Sequence, residues 1–400
     1  MNASGKDPAA PKERRAAALT DDEWARYARQ IVVPEIGREG QARLKNASAL
    51  VVGAGGLGCP AALYLAASGI GRLGIIDPDT VEASNLQRQI LHFTSDIGKA
   101  KVESARVKLI DVNPFLEIDA FTEPLKAANA LRIVKDYDVV IDGSDNFPTR
   151  YVINDSCVLL KKPMIYGSVQ HFFGQVSVFD SRNGPCFRCV MPDPPLPGSA
   201  PGCAEQGVLG VVPGIIGTLQ AVEAIKIILR LGTSLIGRLL LFEAFETSFD
   251  VIEVAKNPDC PVCGAWPTIT APVDEEEGCH SASPESQPTA SAQNRPPAKG
   301  LTVSELKKRI QASEKLTFLD LREPGETDEP TFKEALRIPM SQVMDRTSEI
   351  PRDREVIVLC RIGIQSQEVI RRLQGLGFTS LLNLEGGTIA WRYDTEIVPS

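Results

Sequence analysis

Residues 49–69, ALVVGAGGLGCPAALYLAASG, constrain the fold more than any other stretch of this chain. An apolar run ends in glycines at 53, 55 and 58, and a small-residue helical pattern follows at once. Glycines permit a tight turn and close backbone approach there, and the N-terminus of the following helix favours a phosphate. The alternation then repeats. RLGIIDPD, EIDAFTE, YDVVIDGSD and KPMIYGSV read as further strands between helical patterns, so a mostly parallel α/β sheet is expected. LQAVEAIKIILRLG (219–232) has apolar residues at helical spacing and reads as a helix covering that sheet. Near the start, TDDEWARYARQI places Thr20 as an N-cap with Asp21 and Asp22 in the first turn of another helix.

Four hundred residues suit two or three domains. Residues 1–19 form a charged tail expected to be disordered, and residues 20–270 contain the sheet just described. APVDEEEGCHSASPESQPTASAQNRPPAKG (271–300) is rich in Pro, Ser, Ala and charge and reads as a flexible linker. Beyond it, LTFLDLRE, EVIVLCRI and SLLNLEGG read as strands, and TVSELKKRIQ and SQEVIRRLQGLG as helices, giving a second, smaller α/β domain over 301–400. The net charge of −8 disfavours direct nucleic-acid binding. The N-terminus lacks the apolar core of a secretory signal, and no run approaches the ~20 apolar residues of a membrane span. A cytoplasmic protein without a membrane partner is expected.

Asp77 lies 24 residues beyond Gly53, where a carboxylate can hold a ribose hydroxyl. On the glycines and Asp77 alone, a Rossmann-like NAD-dependent dehydrogenase is the default. DPDTVEASNLQRQILHFTSDIGKAKVESA shifts that reading, because it adds Asn85, Arg88, Gln89 and Lys101. Hydride transfer has little use for such a group, whereas displacement of pyrophosphate from a nucleoside triphosphate builds negative charge that cations stabilise. Asp142 and Asp145, at the end of another strand, supply a natural Mg²⁺ position facing the same crevice.

Nine cysteines, an odd number with two tight CxxC pairs, point to metal and catalysis rather than a disulfide framework. Cys186 with Cys189 and Cys260 with Cys263 can close a tetrahedral site with no open position, the pattern of structural Zn²⁺; the alternative is one redox CxxC plus coincidence. Cys203 sits among Pro and Gly in a loop. Cys59 and Cys157 fall in apolar helical patterns and read as core, and Cys279 and His280 lie in the linker. His92 and His171 are expected to be structural. Cys360 ends the apolar run EVIVL and precedes a polar Gly-containing loop and a helix, where backbone N–H groups and Arg361 favour a thiolate or persulfide anion.

Two resemblances organise these residues. From Arg26 to Gly264 the chain resembles the MoeB/ThiF family, relatives of ubiquitin-activating enzymes, through RYARQI, GAGGLG, DPDTVEASNLQRQ, GKAKVESA, DGSDN and CVMP…CAEQGVLG. The resemblance implies a homodimer that uses ATP to adenylate the C-terminal glycine of a ubiquitin-like protein. Asp77 would hold the ribose, Asn85, Arg88 and Lys101 the phosphates, and Asp145 the Mg²⁺. Arg29 would reach the neighbouring subunit's triphosphate, the four paired cysteines would hold zinc, and Cys203 would be able to link to the partner's C-terminus. Residues 301–400 resemble a single rhodanese domain through FLDLREPGE, CRIGIQS and LLNLEGGTIAW, which implies that Cys360 carries a persulfide with Asp320 and Arg322 nearby. Gln365 stands where many rhodaneses place a second Arg, and FKEALRIPM lacks the usual His-Ile-Pro-Gly-Ala form. Both departures suit an acceptor that is a protein carboxyl end.

The fusion is the architecture of adenylyltransferase–sulfurtransferases of the molybdopterin-synthase sulfurylase type. It implies a ubiquitin-like sulfur-carrier partner ending in Gly-Gly and an upstream persulfide donor such as a cysteine desulfurase. Molybdopterin, thiamine, cysteine and tRNA thiolation all remain open as destinations. The rival readings are a dehydrogenase, a non-catalytic scaffold, and an activating enzyme for protein conjugation that uses Cys203 as thioester carrier.

Overall fold

The computed structural model describes residues 18–192, 194, 207–274, 299–322, 332, 334–360, 363, 365–388, 390 and 391. They fall in two compact units, 18–274 and 299–391, each described by itself.

The first unit is built on an eight-stranded sheet of β1 (Ser48–Val52), β2 (Arg72–Ile76), β3 (Glu117–Phe121), β4 (Val139–Asp142), β5 (Met164–Gln170), β6 (Phe173–Phe179), β7 (Arg238–Glu243) and β8 (Ser248–Glu253). Its spatial order is β3-β2-β1-β4-β5-β6-β7-β8. The first five strands are parallel, as their near-continuous apolar runs require; every residue of β1 is buried. The remaining three extend the sheet as antiparallel hairpins. Helices Gly58–Ala67, Lys101–Val112, Ala127–Val134 and Phe147–Leu159 make the crossovers between successive parallel strands.

The helix expected from residue 219 spans Val211–Leu229. Pro213 does not prevent the earlier start, since a proline in a first turn removes no helical hydrogen bond. By length and composition this is the one described helix that could cross a membrane. Val212, Ile216, Ala221 and Ala224 lie in the main core, and the buried Gln220 amide donates to the carbonyls of Asp142 (2.7 Å) and Ile165 (3.0 Å). Those contacts make it a core helix against the sheet. The N-terminal helix begins where expected: Thr20 and Glu23 form a reciprocal capping box over Asp21–Arg26.

Two glycines fix the turn after β1. Gly53 has φ +94°, and a side chain there would also meet the Gly143 carbonyl at 2.6 Å. A Cβ on Gly58 would stand 1.8 Å from the Gly53 carbonyl oxygen. The first helix can thus rise directly from the end of β1 only with glycine at both positions.

The second unit is a five-stranded parallel sheet of β9 (Lys299–Leu301), β10 (Phe318–Asp320), β11 (Leu336–Arg337), β12 (Val356–Leu359) and β13 (Leu381–Leu384), in the order β11-β10-β12-β13-β9. Alternation along β12 builds two cores. Val356 and Val358 pack with helix Gln365–Gly375, and Ile357 and Leu359 pack with Leu306 of helix Val303–Gln311. Both ends of the stretch read as linker differ from that reading. Residues 299 and 300 already belong to β9, and at the other end Pro272 is buried and Asp274 is bonded to the first unit. Residues 275–298 and 1–17 lie outside the described residues.

Candidate functional site

The carboxyl ends of β1, β2 and β4 open onto a cavity of about 680 Å³, at the point where the strand order reverses. Gly53, Gly55, Asp77, Arg88, Gln89, Lys101 and Asp145 all line it. Asp77 ends β2 and ties the glycine loop down: its Oδ2 accepts the Ala54 N–H at 2.7 Å and its Oδ1 the Asp79 N–H at 2.9 Å. Burial pushes this carboxyl up, against the opposing pull of the Lys101 ammonium. Lys101 starts the second crossover helix and is itself buried, with Nζ 2.7 Å from Asp79 Oδ2 and 3.9 Å from Asp77 Oδ1. His92 braces the same loop through Nε2 to the Ala54 carbonyl (2.9 Å) and Nδ1 to the Ser104 hydroxyl (2.9 Å). Burial lowers its pKa, so a neutral ring makes both bonds. The structural role expected of His92 is the one observed.

Gln89 offers the cavity an acceptor. It is buried, and its Oε1 has no hydrogen-bond partner among the described residues. A buried amide oxygen left without a donor costs roughly 1–3 kcal/mol, which a donor on a bound molecule would recover. Arg88 also lines the cavity, and its guanidinium donates to the Ser84 carbonyl at 3.2 Å. Among the described residues the lining contains neither cysteine nor histidine.

Some expected residues stand elsewhere. Asp142 is fully buried and ion-paired with Arg150 (Oδ2 to Nε, 2.9 Å), while its Oδ1 accepts from Ser144 N–H and hydroxyl. It has no free face for Mg²⁺, and the carboxylate presented to the cavity is Asp145, which is exposed. Asn85 does not line the cavity; its Oδ1 accepts the Glu82 N–H at 3.1 Å. Gly58 acts through the turn geometry rather than by lining. Arg29 is exposed on helix Ala28–Ile31 and does not reach its own chain's cavity. Cys203 lies outside the described residues, as do Cys279 and His280. His171 sits in the turn between β5 and β6. Sequence reasoning missed Gly56, Asp79, Ser168 and Asp274, all of which line the cavity.

The two cysteine pairs converge. All four sulfurs of Cys186, Cys189, Cys260 and Cys263 lie within 4.8 Å of one another, with Sγ–Sγ distances of 3.9, 3.5 and 3.4 Å for 186–189, 186–260 and 189–263. Four thiolates about 2.3 Å from a tetrahedral ion stand about 3.8 Å apart, so the set fits a closed metal site. Arg188, between the first pair, is buried and forks onto Asp155 at 2.8 and 2.9 Å, locking that loop to helix Phe147–Leu159. Cys59 and Cys157 are buried core thiols, as expected; burial pushes Cys59 up to about 12 and raises Cys157 as well.

In the second unit Cys360 ends β12 and is buried. The Gly363 and Ser366 N–H groups donate to its Sγ at 3.1 and 3.4 Å, and the Ser366 hydroxyl stands 3.2 Å away. Helix Gln365–Gly375 begins at this point. The Ser366 hydroxyl donates to Asn383 Oδ1, so the two backbone N–H groups are the donors that favour negative charge on the sulfur. Arg361 lies outside the described residues. Asp320 ends the neighbouring strand β10 and takes Arg322 as a buried forked partner, with Nε–Oδ1 at 2.8 Å.

Asp142 and Asp145 can be told apart by stability. Asp142→Asn breaks a buried ion pair and should cost about 3–5 kcal/mol in urea unfolding, whereas Asp145→Asn should unfold like the parent. Equal effects of the two substitutions would overturn the division of roles.

Residues 27–262 match the ThiF family and residues 302–394 the rhodanese-like domain. The adenylyltransferase and sulfurtransferase MOCS3 of Drosophila yakuba is 44% identical over 385 residues, covering 93% of this chain and 84% of the relative. The probable adenylyltransferase/sulfurtransferase MoeZ of Mycobacterium tuberculosis is 39% identical over 389 residues, covering 95% and 96%. Among solved structures, E. coli MccB with MccA-N7isoAsn matches with a TM-score of 0.54 at 23% identity, covering 60% of this chain and 74% of that one, a likeness of fold. The chain belongs to the ThiF family, as a MoeB-like adenylyltransferase domain followed by a rhodanese-like domain.

Proposed function

We propose that this chain activates a ubiquitin-like sulfur carrier in two stages: ATP-dependent adenylation of its C-terminal glycine, then sulfur transfer from a Cys360 persulfide. The observation that supports the first stage is a cavity lined by Arg88, Lys101 and Asp145 at the carboxyl ends of parallel strands. The carrier's own carboxylate attacks the α-phosphorus, pyrophosphate leaves, and an acyl-adenylate remains. Arg88 and Lys101 offset the charge that grows on the phosphates, and Asp77 orients the ribose. Mg²⁺, held by Asp145 and the phosphates, would supply further charge neutralisation; one carboxylate beside substrate phosphates is an ordinary magnesium site.

In the second stage the terminal sulfur of the persulfide attacks the acyl carbon and expels AMP. A thiol reductant then opens the resulting acyl disulfide, releasing the carrier thiocarboxylate. The donors around Cys360 support storage of an anionic sulfur. A cysteine desulfurase is the class of donor that fits upstream. Arg29, exposed and away from its own cavity, suits a homodimer in which it serves the neighbouring site. Cytoplasmic location follows from the same reading. Conjugation through a Cys203 thioester is the second reading, and the Cys360 cradle favours sulfur transfer over it.

Zinc is the metal that four thiolates without an open position suit best, and its role is to staple chain segments about the two CxxC pairs. Purified protein should contain one Zn²⁺ per chain, and Cys263→Ser should lose both the metal and thermal stability. Zinc-free parent protein with unchanged melting would contradict this.

Adenylation is tested by carrier-dependent ATP–pyrophosphate exchange. Asp145→Ala should abolish it, by about a thousandfold or more, as expected for loss of the ligand that would hold the charge-neutralising Mg²⁺, and Cys360→Ser should leave it intact. Undiminished exchange in Asp145→Ala would sink the assignment.

A further inference from the structure

One lining residue of the cavity, Asp274, comes from a segment that no motif predicts. It lines the cavity beside Pro124, Leu125 and Lys126, at the exit of β3. The Ala127 N–H, first in helix Ala127–Val134, donates to Asp274 Oδ1 at 2.8 Å across 147 residues of sequence. The N-cap residue of that helix is Lys126, whose ammonium offers no acceptor. A leading N–H of the helix therefore takes its partner from a distant carboxylate, which the helix dipole also favours.

The segment reaches this point along a defined path. From the second cysteine pair, the Gly264 N–H donates to the Cys260 carbonyl (3.0 Å), and the Thr268 and Ile269 N–H groups to that of Pro261 (2.8 and 2.9 Å). Pro272 is then buried, and Asp274 docks on Ala127. The sheet order sets the cavity groups in a row: Asp145 after β4, the glycine loop after β1, Asp77 after β2, and Pro124–Lys126 after β3. A nucleotide with its phosphates toward Asp145, Arg88 and Lys101 and its ribose at Asp77 directs its base to the β3 exit. That is where Asp274 stands.

We propose that residues 264–274 form a strap closing the base end of the nucleotide site, with Asp274 as its positioning residue. The inference rests on reading this cavity as the ATP site. Nucleotide binding and strap docking then reinforce one another, because any coupling between two equilibria is reciprocal. ATP holds the strap down, and the docked strap holds ATP.

The test uses the full chain and Mg-ATP without a carrier, by equilibrium dialysis and hydrogen exchange. Asp274→Ala should weaken ATP binding about tenfold, equivalent to about 1.4 kcal/mol. Ala127→Pro breaks the same contact from the other side; proline suits a first helical position, and Lys126 before it is already extended (φ −128°, ψ 164°). It should weaken ATP to a similar degree, and the double variant should be no worse than either single one. Asp274→Asn keeps an acceptor oxygen and should restore most of the affinity. In the parent, ATP should slow amide exchange in residues 127–134 and 269–274, and this protection should vanish in Asp274→Ala. Parental affinity and protection in Asp274→Ala and Ala127→Pro, even with lowered melting temperatures, would reduce the strap to a structural tether while the ATP site stands. Failure of the parent itself to bind ATP would overturn the site reading and the strap together.

Discussion

The first unit depends on the close approach of two backbones where β1 turns into its helix. A Cβ on Gly58 would lie 1.8 Å from the Gly53 carbonyl, and one on Gly53 would lie 2.6 Å from that of Gly143. Three segments, the ends of β1 and β4 and the start of helix Gly58–Ala67, therefore meet at contact distances that admit no side chain. The cavity exists because they meet there. Asp77 and His92 then hold the residue between, Ala54, by its N–H and its carbonyl respectively. The loop offered to a phosphate is thus fixed before any ligand arrives, so little ordering entropy is lost on binding.

The two chemical centres meet opposite physical demands. The nucleotide cavity must neutralise charge that grows on a substrate, so it gathers cations and a helix N-terminus. The second centre must keep a sulfur anion within the protein, so Cys360 is surrounded by the N–H groups of Gly363 and Ser366. The cysteine pairs serve a third purpose. Their convergence ties the chain after β6 to the chain after β8, the Arg188–Asp155 fork ties the first pair to helix Phe147–Leu159, and the segment toward Asp274 departs from the second pair.

What the sequence disclosed follows from how local each signal is. Parallel strands buried on both faces leave unbroken apolar runs, so β1, β2 and β4 were legible, as were the Thr20 cap and the strand ending at Cys360. Gly174, Gln175 and Ser177 interrupt the apolar residues of β6, and β8 exposes Phe249 and Val251, so these two strands leave a weaker trace. Residues at strand ends that line the cavity, including Asp77 and Asp145, were legible as well. What failed was the allocation of similar residues between site and scaffold. Asp142 and Asp145 look alike in DGSDN, and the division is made by Arg150, whose guanidinium takes the first and leaves the second to the cavity. Asn85 was likewise spent on a local turn. Asp274 was illegible because its partner, Ala127, is 147 residues away and contributes a backbone N–H.

The most direct measurement is mass spectrometry of a ubiquitin-like carrier incubated with ATP, a thiol reductant and protein preloaded with sulfane sulfur, with free sulfide removed. The parent chain should add about 16 Da to the carrier, as the terminal hydroxyl oxygen is replaced by sulfur. Cys360→Ser, with its nucleotide cavity intact, should leave the carrier mass unchanged. Thiocarboxylate formed by Cys360→Ser at the parental rate would contradict the coupling of the two centres and leave Cys360 an ordinary thiol at the end of a strand.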